Sequence, residues 1–242
     1  MEQNSFKRGI TDGLPICVGY FSVSFAFGIF AVASGLTVLQ ALLISMTNLT
    51  SAGQLAAVPI ICAGGGLIEL AISQLVINSR YALMSVSLSQ KLSPNVKGLR
   101  RFLVAFGNTD EIFAVSVSNK GTVGYKYMYG LILTPVLGWS AGTVIGAVAG
   151  NILPAVVTTS LGIAIYGMFI AIVVPQAKRD KAAAICVFIS VILSCAFRYI
   201  PVLNTVPSGF VIIICAVAAS VIMALVVPIK IETEEVEVDA VC

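Results

Sequence analysis

The chain has 242 residues and a formal net charge of +3, with 58% hydrophobic and only 10% charged residues, whereas about a quarter of the residues in an average soluble domain are charged. A globule of this size could not cover so much apolar surface with so few polar side chains, which excludes an ordinary soluble protein. The basic residues are spread along the chain, so no nucleic-acid-binding patch is expected. Long apolar runs rich in Gly, Ala and Ser favour an all-α, polytopic helical membrane protein over a β-barrel.

Eight apolar segments follow one another along the chain. In chain order they are 10–34, 38–63, 66–90, 102–119, 122–149, 153–175, 182–200 and 207–228. We expect them to form one transmembrane domain over residues 1–242, with a short cytoplasmic N-terminus at 1–9 and an acidic cytoplasmic tail at 229–242.

The basic residues between these segments predict the orientation of the chain. They form five clusters: Lys7 and Arg8; Lys91, Lys97, Arg100 and Arg101; Lys120 and Lys126; Lys178, Arg179 and Lys181; and Lys230. The positive-inside rule places all five on the cytoplasmic side. An even number of crossings must then separate each cluster from the next, and two stretches of the chain break this parity.

The parity is restored if two segments enter the bilayer, turn and leave on the same side. Segment 38–63 is interrupted by the polar and small residues 45–54, and segment 102–119 by Asn108–Glu111. We therefore expect two re-entrant broken helices of opposite orientation, with polar tips near the midplane, as in many transporters. The alternative is that both are ordinary spans and that one loop breaks the positive-inside rule.

Five ionisable residues within these segments need an explanation, since an Asp at the centre of a membrane helix costs about 3 kcal/mol on insertion scales. They are Glu69, Arg80, Asp110, Glu111 and Arg198, of which we expect Arg198 to be an interfacial anchor together with Tyr199. Such residues usually line a pathway or pair with each other. The alternatives are snorkelling of Arg80 to the cytoplasmic interface, a position of Glu69 near the outer interface, and a capping role for Asp110 at the N-terminus of a half-helix.

Four glycines recur every fourth residue: Gly138, Gly142, Gly146 and Gly150. This spacing makes one ridge along a helix, where a second helix can approach closely. The ridge fits either an internal helix contact or the seat of a partner subunit.

The sequence offers little for an enzyme or a metal centre. It contains no histidine, no GxSxG motif and no CxxC pair among its six cysteines, so we expect no catalytic residues, no cofactor and no bound metal. A channel or passive pore for small solutes is the alternative to a transporter. Its polar lining would have to follow a full path, whereas the polar residues here cluster at two tips, which favours an occluded site.

Four stretches of the first half resemble a known family. They are "GITDGLPICVGYFSVSFAFGIFAVASGL" from Gly9, "TSAGQLAAV" from Thr50, "VINSRYALMSVSLS" from Val76 and "FGNTDEIFAV" from Phe106. In content and order they resemble the AzlC-type large subunit of bacterial branched-chain amino-acid exporters. Gln54, Asn78 and Arg80 match residues of the motifs often seen in that family.

The resemblance implies a secondary transporter subunit that exports apolar amino acids such as valine, leucine, isoleucine and methionine. It also implies a small hydrophobic AzlD-type membrane subunit as partner and a multi-pass location in the bacterial cytoplasmic membrane. The partners expected are therefore this subunit, the amino acid and the lipid bilayer, with no nucleic acid.

A site for an apolar amino acid needs a cation or helix N-terminus for the carboxylate, an acceptor for the ammonium group and an apolar pocket. We expect Arg80 and the backbone of residues 51–53 to bind the carboxylate, and Asp110 or Glu111 to bind the ammonium group. The full candidate set is Ser51, Ala52, Gly53, Gln54, Asn78, Arg80, Asn108, Thr109, Asp110 and Glu111. Because removal from water disfavours the charged form of a carboxyl group, Asp110, Glu111 or Glu69 could also carry a coupled proton.

Overall fold

The computed structural model describes residues 4–154 and 177–227, together with residues 167, 170 and 173–175. Nine named helices lie in these ranges: α1 (Phe6–Ala33), α2 (Val38–Thr47), α3 (Ser51–Cys62), α4 (Leu67–Lys91), α5 (Leu99–Phe106), α6 (Asp110–Ser118), α7 (Tyr125–Ile152), α8 (Lys181–Tyr199) and α9 (Ser208–Val226). The predicted tail 229–242 and most of the predicted segment 153–175 lie outside the described residues.

Helices α1 and α7 form the central pair of the fold. Each has 28 residues, which gives a length of about 42 Å at 1.5 Å per residue, enough to cross a hydrocarbon core of about 30 Å. Gly13 near the start of α1 lies against Leu131 near the start of α7, and Gly150 near the end of α7 lies against Ile29 near the end of α1. The two helices therefore run in the same direction.

The four ridge glycines of α7 all lie against α1. Their nearest neighbours there are Cys17 for Gly138, Phe21 and Ser24 for Gly142, Phe25 for Gly146, and Val32 and Ile29 for Gly150. Because glycine has no side chain, the two backbones come close enough to pack along most of their length. The sequence left open whether the ridge packs against another helix of the chain or against a partner subunit. The structure shows that it packs against α1.

Four helices among the described residues are long and apolar enough to cross a membrane. They are α1, α7, α8 and the stretch Gly209–Val226 of α9. The predicted class, an all-α polytopic membrane protein, is therefore confirmed. Helix α4 has 25 residues but carries Glu69, Arg80 and several amides and hydroxyls, which lowers its mean hydropathy.

The predicted segment 38–63 is a broken helix. Thr37 begins α2 with a capping box to Gln40, and the helical pattern stops at residues 48–50 before α3 begins. Ala41 of α2 and Val58 of α3 belong to one buried cluster with residues from the C-terminal parts of α1 and α7. Both outer ends of this first broken segment therefore lie at the same end of the α1–α7 pair.

The predicted segment 102–119 is broken as well, at residues 107–109 between α5 and α6. Val104 of α5 and Ile112 of α6 share a buried cluster with Met128 and other residues from the N-terminal half of α7. This second broken segment therefore lies at the opposite end of the α1–α7 pair. Helix α4 connects the two ends, and the two tips meet between them.

Candidate functional site

A cavity of about 420 Å³ lies where the two tips approach α1, α4 and α7, within the range of about 300–1,000 Å³ typical of small-molecule sites. We call it the main cavity. Its lining consists of Pro15, Ile16, Gly19, Tyr20, Val23, Leu49, Thr50, Ser51, Arg80, Tyr81, Thr109, Asp110, Glu111 and Trp139. Residues of the two broken segments that are far apart in the sequence thus line the same cavity.

An ion pair lies in the polar half of the main cavity. Arg80 of α4 approaches Asp110 at the start of α6, with 2.7 Å between Nη2 and Oδ2, and both side chains are about half exposed. Arg80 also lies over the ring of Tyr81, 5.0 Å from its centroid. The guanidinium group is therefore held toward α6 and the cavity, which gives Arg80 a partner other than the membrane interface considered from the sequence.

The second carboxylate, that of Glu111, is held from the opposite side by α1. The Tyr20 hydroxyl donates a hydrogen bond to Glu111 Oε2 and lies 2.6 Å from Thr109 Oγ1. Tyr20 in turn packs edge-to-face on Trp139 of α7, with ring centroids 5.0 Å apart. Asp110 and Glu111, adjacent in sequence, thus contact different helices, as their separation of about 100° around a helix requires.

Two helix N-termini open into the main cavity. Thr50 is the N-cap of α3 and Thr109 the N-cap of α6, and in neither case does a described side chain close the cap by a hydrogen bond. The first backbone N–H groups of a helix lack intrahelical acceptors and carry partial positive charge. The cavity therefore has two potential anion-binding positions besides Arg80.

The other half of the cavity is apolar. Ile16 and Val23 contribute from α1, Leu49 from the first tip and Trp139 from α7. Gly19, between the two α1 side chains, has no described atom of another helix within 4 Å of the position a Cβ would occupy. The missing side chain leaves space in the apolar half.

Five of the ten predicted site residues line the main cavity. They are Ser51, Arg80, Thr109, Asp110 and Glu111. Ala52 is half-buried one residue further along α3. The proposed assignment of ligands to these residues stays a prediction, but the structure brings together the charged members of the set.

The remaining predicted residues support the tips. Buried Gln54 donates to the carbonyl oxygen of Asn48 at 2.6 Å and to Ser45 Oγ at 3.3 Å, and the Gly53 carbonyl accepts a hydrogen bond from Gln74 at 2.9 Å. Asn78 and Asn108 line a second, smaller cavity between the tips. Gln54 therefore holds the first tip in shape and does not line the main cavity.

Glu69 lies apart from the main cavity. Its carboxylate is buried and accepts a hydrogen bond from the Gly209 backbone N–H at 2.9 Å, at the N-terminus of α9. A carboxylate at this position satisfies a free N–H group and suits the helix dipole. The structure thus gives Glu69 a capping contact between α4 and α9. Its role in proton coupling stays a prediction, and of the three candidates Asp110 and Glu111 line the main cavity.

Sequence reasoning missed the aromatic members of the site, Tyr20, Tyr81 and Trp139. Each lies inside an apolar run where an aromatic residue is unremarkable by composition. Trp139 is the only tryptophan of the chain and lies next to the first ridge glycine. The ridge pattern indicated a close helix approach there, but not a cavity.

The fold and the cavity together define a multi-pass helical membrane protein with an amphipathic chamber at the meeting point of two broken helices. The sequence profile of the AzlC protein family matches residues 15–153, more than half of the chain. The chain therefore belongs to the AzlC family. This match runs from Pro15 within α1 to just beyond the end of α7 and includes every residue that lines the main cavity.

Several relatives cover most of the chain. An inner membrane protein of Escherichia coli, YgaZ, is 29% identical over 189 residues, 75% of this chain and 77% of the relative. An uncharacterized membrane protein of Archaeoglobus fulgidus is 30% identical over 74% of this chain and 80% of the relative. The branched-chain amino acid transport protein AzlC of Bacillus subtilis is 21% identical over 73% of this chain and 70% of the relative. No solved structure matches the chain.

Proposed function

We propose that the chain is the large subunit of a secondary transporter that exports apolar amino acids, with valine, leucine, isoleucine and methionine as substrates. The observation that carries the proposal is the main cavity, which joins one guanidinium group, two carboxylates and two helix N-termini to an apolar wall. An apolar amino acid has the same division into a zwitterionic head and an apolar tail. Membership of the AzlC family supports a role in membrane transport.

The polar half of the cavity matches the two charges of the substrate head. The substrate carboxylate binds Arg80 and the first N–H groups of α3 at Ser51, where positive charge and free donors coincide. The ammonium group binds Asp110 or Glu111. The substrate thereby replaces part of the Arg80–Asp110 ion pair, so that Arg80 and Asp110 each keep a partner of opposite charge in the empty and in the loaded site.

The charges of the site also support a coupling cation. Two carboxylates face a single guanidinium group among the described lining residues, and a zwitterionic substrate adds no net charge. One more positive charge is therefore required to neutralise the site in a low-dielectric environment. We propose that a proton on Asp110 or Glu111 supplies it, and that transport is coupled to this proton.

The membrane arrangement follows from the same proposal. Both broken segments are re-entrant, one from each side, and their tips meet near the bilayer midplane, where transporters commonly bind substrate between half-helices. The basic clusters put the N-terminus in the cytoplasm, and the bilayer is the bacterial cytoplasmic membrane. A small hydrophobic subunit of the AzlD type completes the exporter.

Efflux from cells tests the substrate class. Cells loaded with dipeptides of valine or methionine are expected to release the free amino acid faster when this chain and the small subunit are both produced than when either is absent. Unchanged efflux of every apolar amino acid would contradict the proposal. Single-channel currents across a bilayer containing the protein would indicate a pore instead.

Gly19 offers a test of the apolar half of the cavity. Gly19→Leu is expected to fill part of this space without disturbing the helix contact, because no described atom of another helix lies within 4 Å of the added Cβ. Efflux of leucine and methionine should fall by about tenfold or more relative to alanine, since a single methylene group in an apolar pocket changes selectivity by roughly 10- to 200-fold. Competition between labelled leucine and alanine in the same cells measures the ratio. An unchanged ratio would remove Gly19 from the substrate wall.

A further inference from the structure

A second cavity, of about 200 Å³, lies between the tips of the two broken segments. Its lining includes Thr47 and Asn48 at the end of α2, Phe106 at the end of α5, and Thr50 at the first tip. We call it the tip cavity. It shares Thr50 and other residues with the main cavity but does not contain the Arg80–Asp110 ion pair.

Three residues of the tip cavity carry buried oxygen atoms that have no hydrogen-bond partner among the described residues. These atoms are Thr50 Oγ1, Asn78 Oδ1 and Asn108 Oδ1. A buried polar atom without a partner costs about 1–3 kcal/mol, so three such atoms around one small cavity call for a ligand. A hydrogen-bond donor or a cation in this cavity would offset that cost.

The orientation of the Asn78 amide follows from its neighbours. Gln74 Nε2 donates to the carbonyl oxygen of Gly53 at 2.9 Å, which leaves Gln74 Oε1 to accept hydrogen bonds from Asn48 Nδ2 at 3.0 Å and Asn78 Nδ2 at 3.3 Å. The nitrogen of Asn78 is thereby engaged, and its oxygen is the free atom. Asn108 Nδ2 donates to Ser85 Oγ at 3.3 Å.

The chemistry of the tip cavity favours a cation. A single water molecule would have to donate to both amide oxygens and accept the proton of the Thr50 hydroxyl, whereas a cation accepts a lone pair from each of the three oxygens. The cavity is also lined by the C-terminal ends of α2 and α5, and helix C-termini carry partial negative charge. In transporters, half-helix C-termini and unwound backbone coordinate Na⁺ in this way, and hard cations take neutral oxygen ligands.

We propose that the tip cavity is a binding site for Na⁺, with the side-chain oxygens of Thr50, Asn78 and Asn108 among its ligands. The ion joins α4 to both tips and lies next to the main cavity. Cysteine and histidine, on which the expectation of no bound metal rested, take no part in such a site, because Na⁺ prefers oxygen ligands. The inference does not rest on the substrate proposed above, because ion binding can be measured without any amino acid.

Binding of ²²Na⁺ to the purified protein, at constant ionic strength in choline chloride and without amino acid, tests this site. Saturable binding is expected, and Thr50→Val, which keeps the shape but removes the oxygen, should weaken it by about tenfold or more. Thr47→Val is the matched control: it removes a hydroxyl from the same cavity, but one that already donates to the Leu43 carbonyl at 2.7 Å. Its affinity for Na⁺ should stay within about twofold of the unmodified protein.

Three results would overturn the inference: no saturable binding to the unmodified protein, equal losses in the two valine variants, or displacement of Na⁺ by methylammonium at lower concentration than by NaCl. The last would assign the tip cavity to an ammonium group.

If Thr50→Val does not fold, Thr50→Ser and Asn108→Asp are measured in its place. Both retain an oxygen and should bind Na⁺, with Asn108→Asp binding it more tightly because of the added charge; weaker binding by Asn108→Asp would overturn the inference.

Discussion

Asp110→Asn is expected to reduce export of apolar amino acids by at least about 30-fold while the protein still inserts into the membrane. The substitution removes the charge that pairs with Arg80 across 2.7 Å and leaves a guanidinium group without its counter-ion. A hydrogen bond to a charged group contributes about 2 kcal/mol, which corresponds to about 30-fold in rate. Initial efflux rates, normalised to the amount of protein in the membrane, measure the effect.

Asp12→Asn is the matched control for this prediction. Asp12 also lies near an arginine, 3.6 Å from Arg8, and accepts a hydrogen bond from Tyr127 at 2.8 Å, but it does not line the main cavity. The amide can still accept the hydrogen bond from Tyr127, so export should stay within about twofold of the unmodified protein. Normal export by Asp110→Asn would exclude a role for the Asp110 charge.

Gly146→Leu is expected to prevent the accumulation of folded protein. A Cβ at Gly146 would lie 2.7 Å from the carbonyl carbon of Phe25 and 2.8 Å from its Cα. Backbone atoms cannot turn away as a side chain can, so α1 and α7 would have to separate, at a cost above the ~3 kcal/mol typical of overpacking. Size-exclusion chromatography of detergent-solubilised protein measures the folded fraction.

Gly19→Leu provides the comparison, because it adds the same side chain to α1 where no described atom of another helix lies within 4 Å of the new Cβ. This variant should elute as a single folded species. If both variants fold equally well, the glycine ridge does not hold the α1–α7 contact. If both are lost, leucine is harmful in α1 for reasons other than contact with the neighbouring helix.

Much of the fold could be predicted from the sequence, because a membrane helix is marked by length and hydropathy alone. The predicted segment 66–90 differs from α4 by one residue at each end, and both predicted breaks fall close to the observed ones. The second break was placed at Asn108–Glu111, whereas α6 begins at Asp110. Aspartate and glutamate suit the first turn of a helix as well as a loop, so composition alone did not fix this boundary.

Only the charged residues of the site could be predicted from the sequence. Arg80, Asp110 and Glu111 stand out in an apolar sequence, and the structure brings them to one cavity. Their partners could not be deduced: the sequence analysis assigned Arg80 and Asp110 to opposite ends of a substrate, whereas here they pair with each other. The contact of Tyr20 with Glu111 could not be predicted, because it depends on how α1 and α6 are aligned. Only the three-dimensional packing determines that alignment.

The most direct test of the central claim, that the main cavity binds an apolar amino acid, uses Trp139. It is the only tryptophan in the chain and lines the cavity in contact with Tyr20, so its fluorescence reports on the site. Titration of the purified protein with leucine is predicted to change this fluorescence saturably, and Asp110→Asn but not Asp12→Asn should abolish the change. Leucine binding by equilibrium dialysis that leaves Trp139 fluorescence unaltered and survives Asp110→Asn would contradict the account.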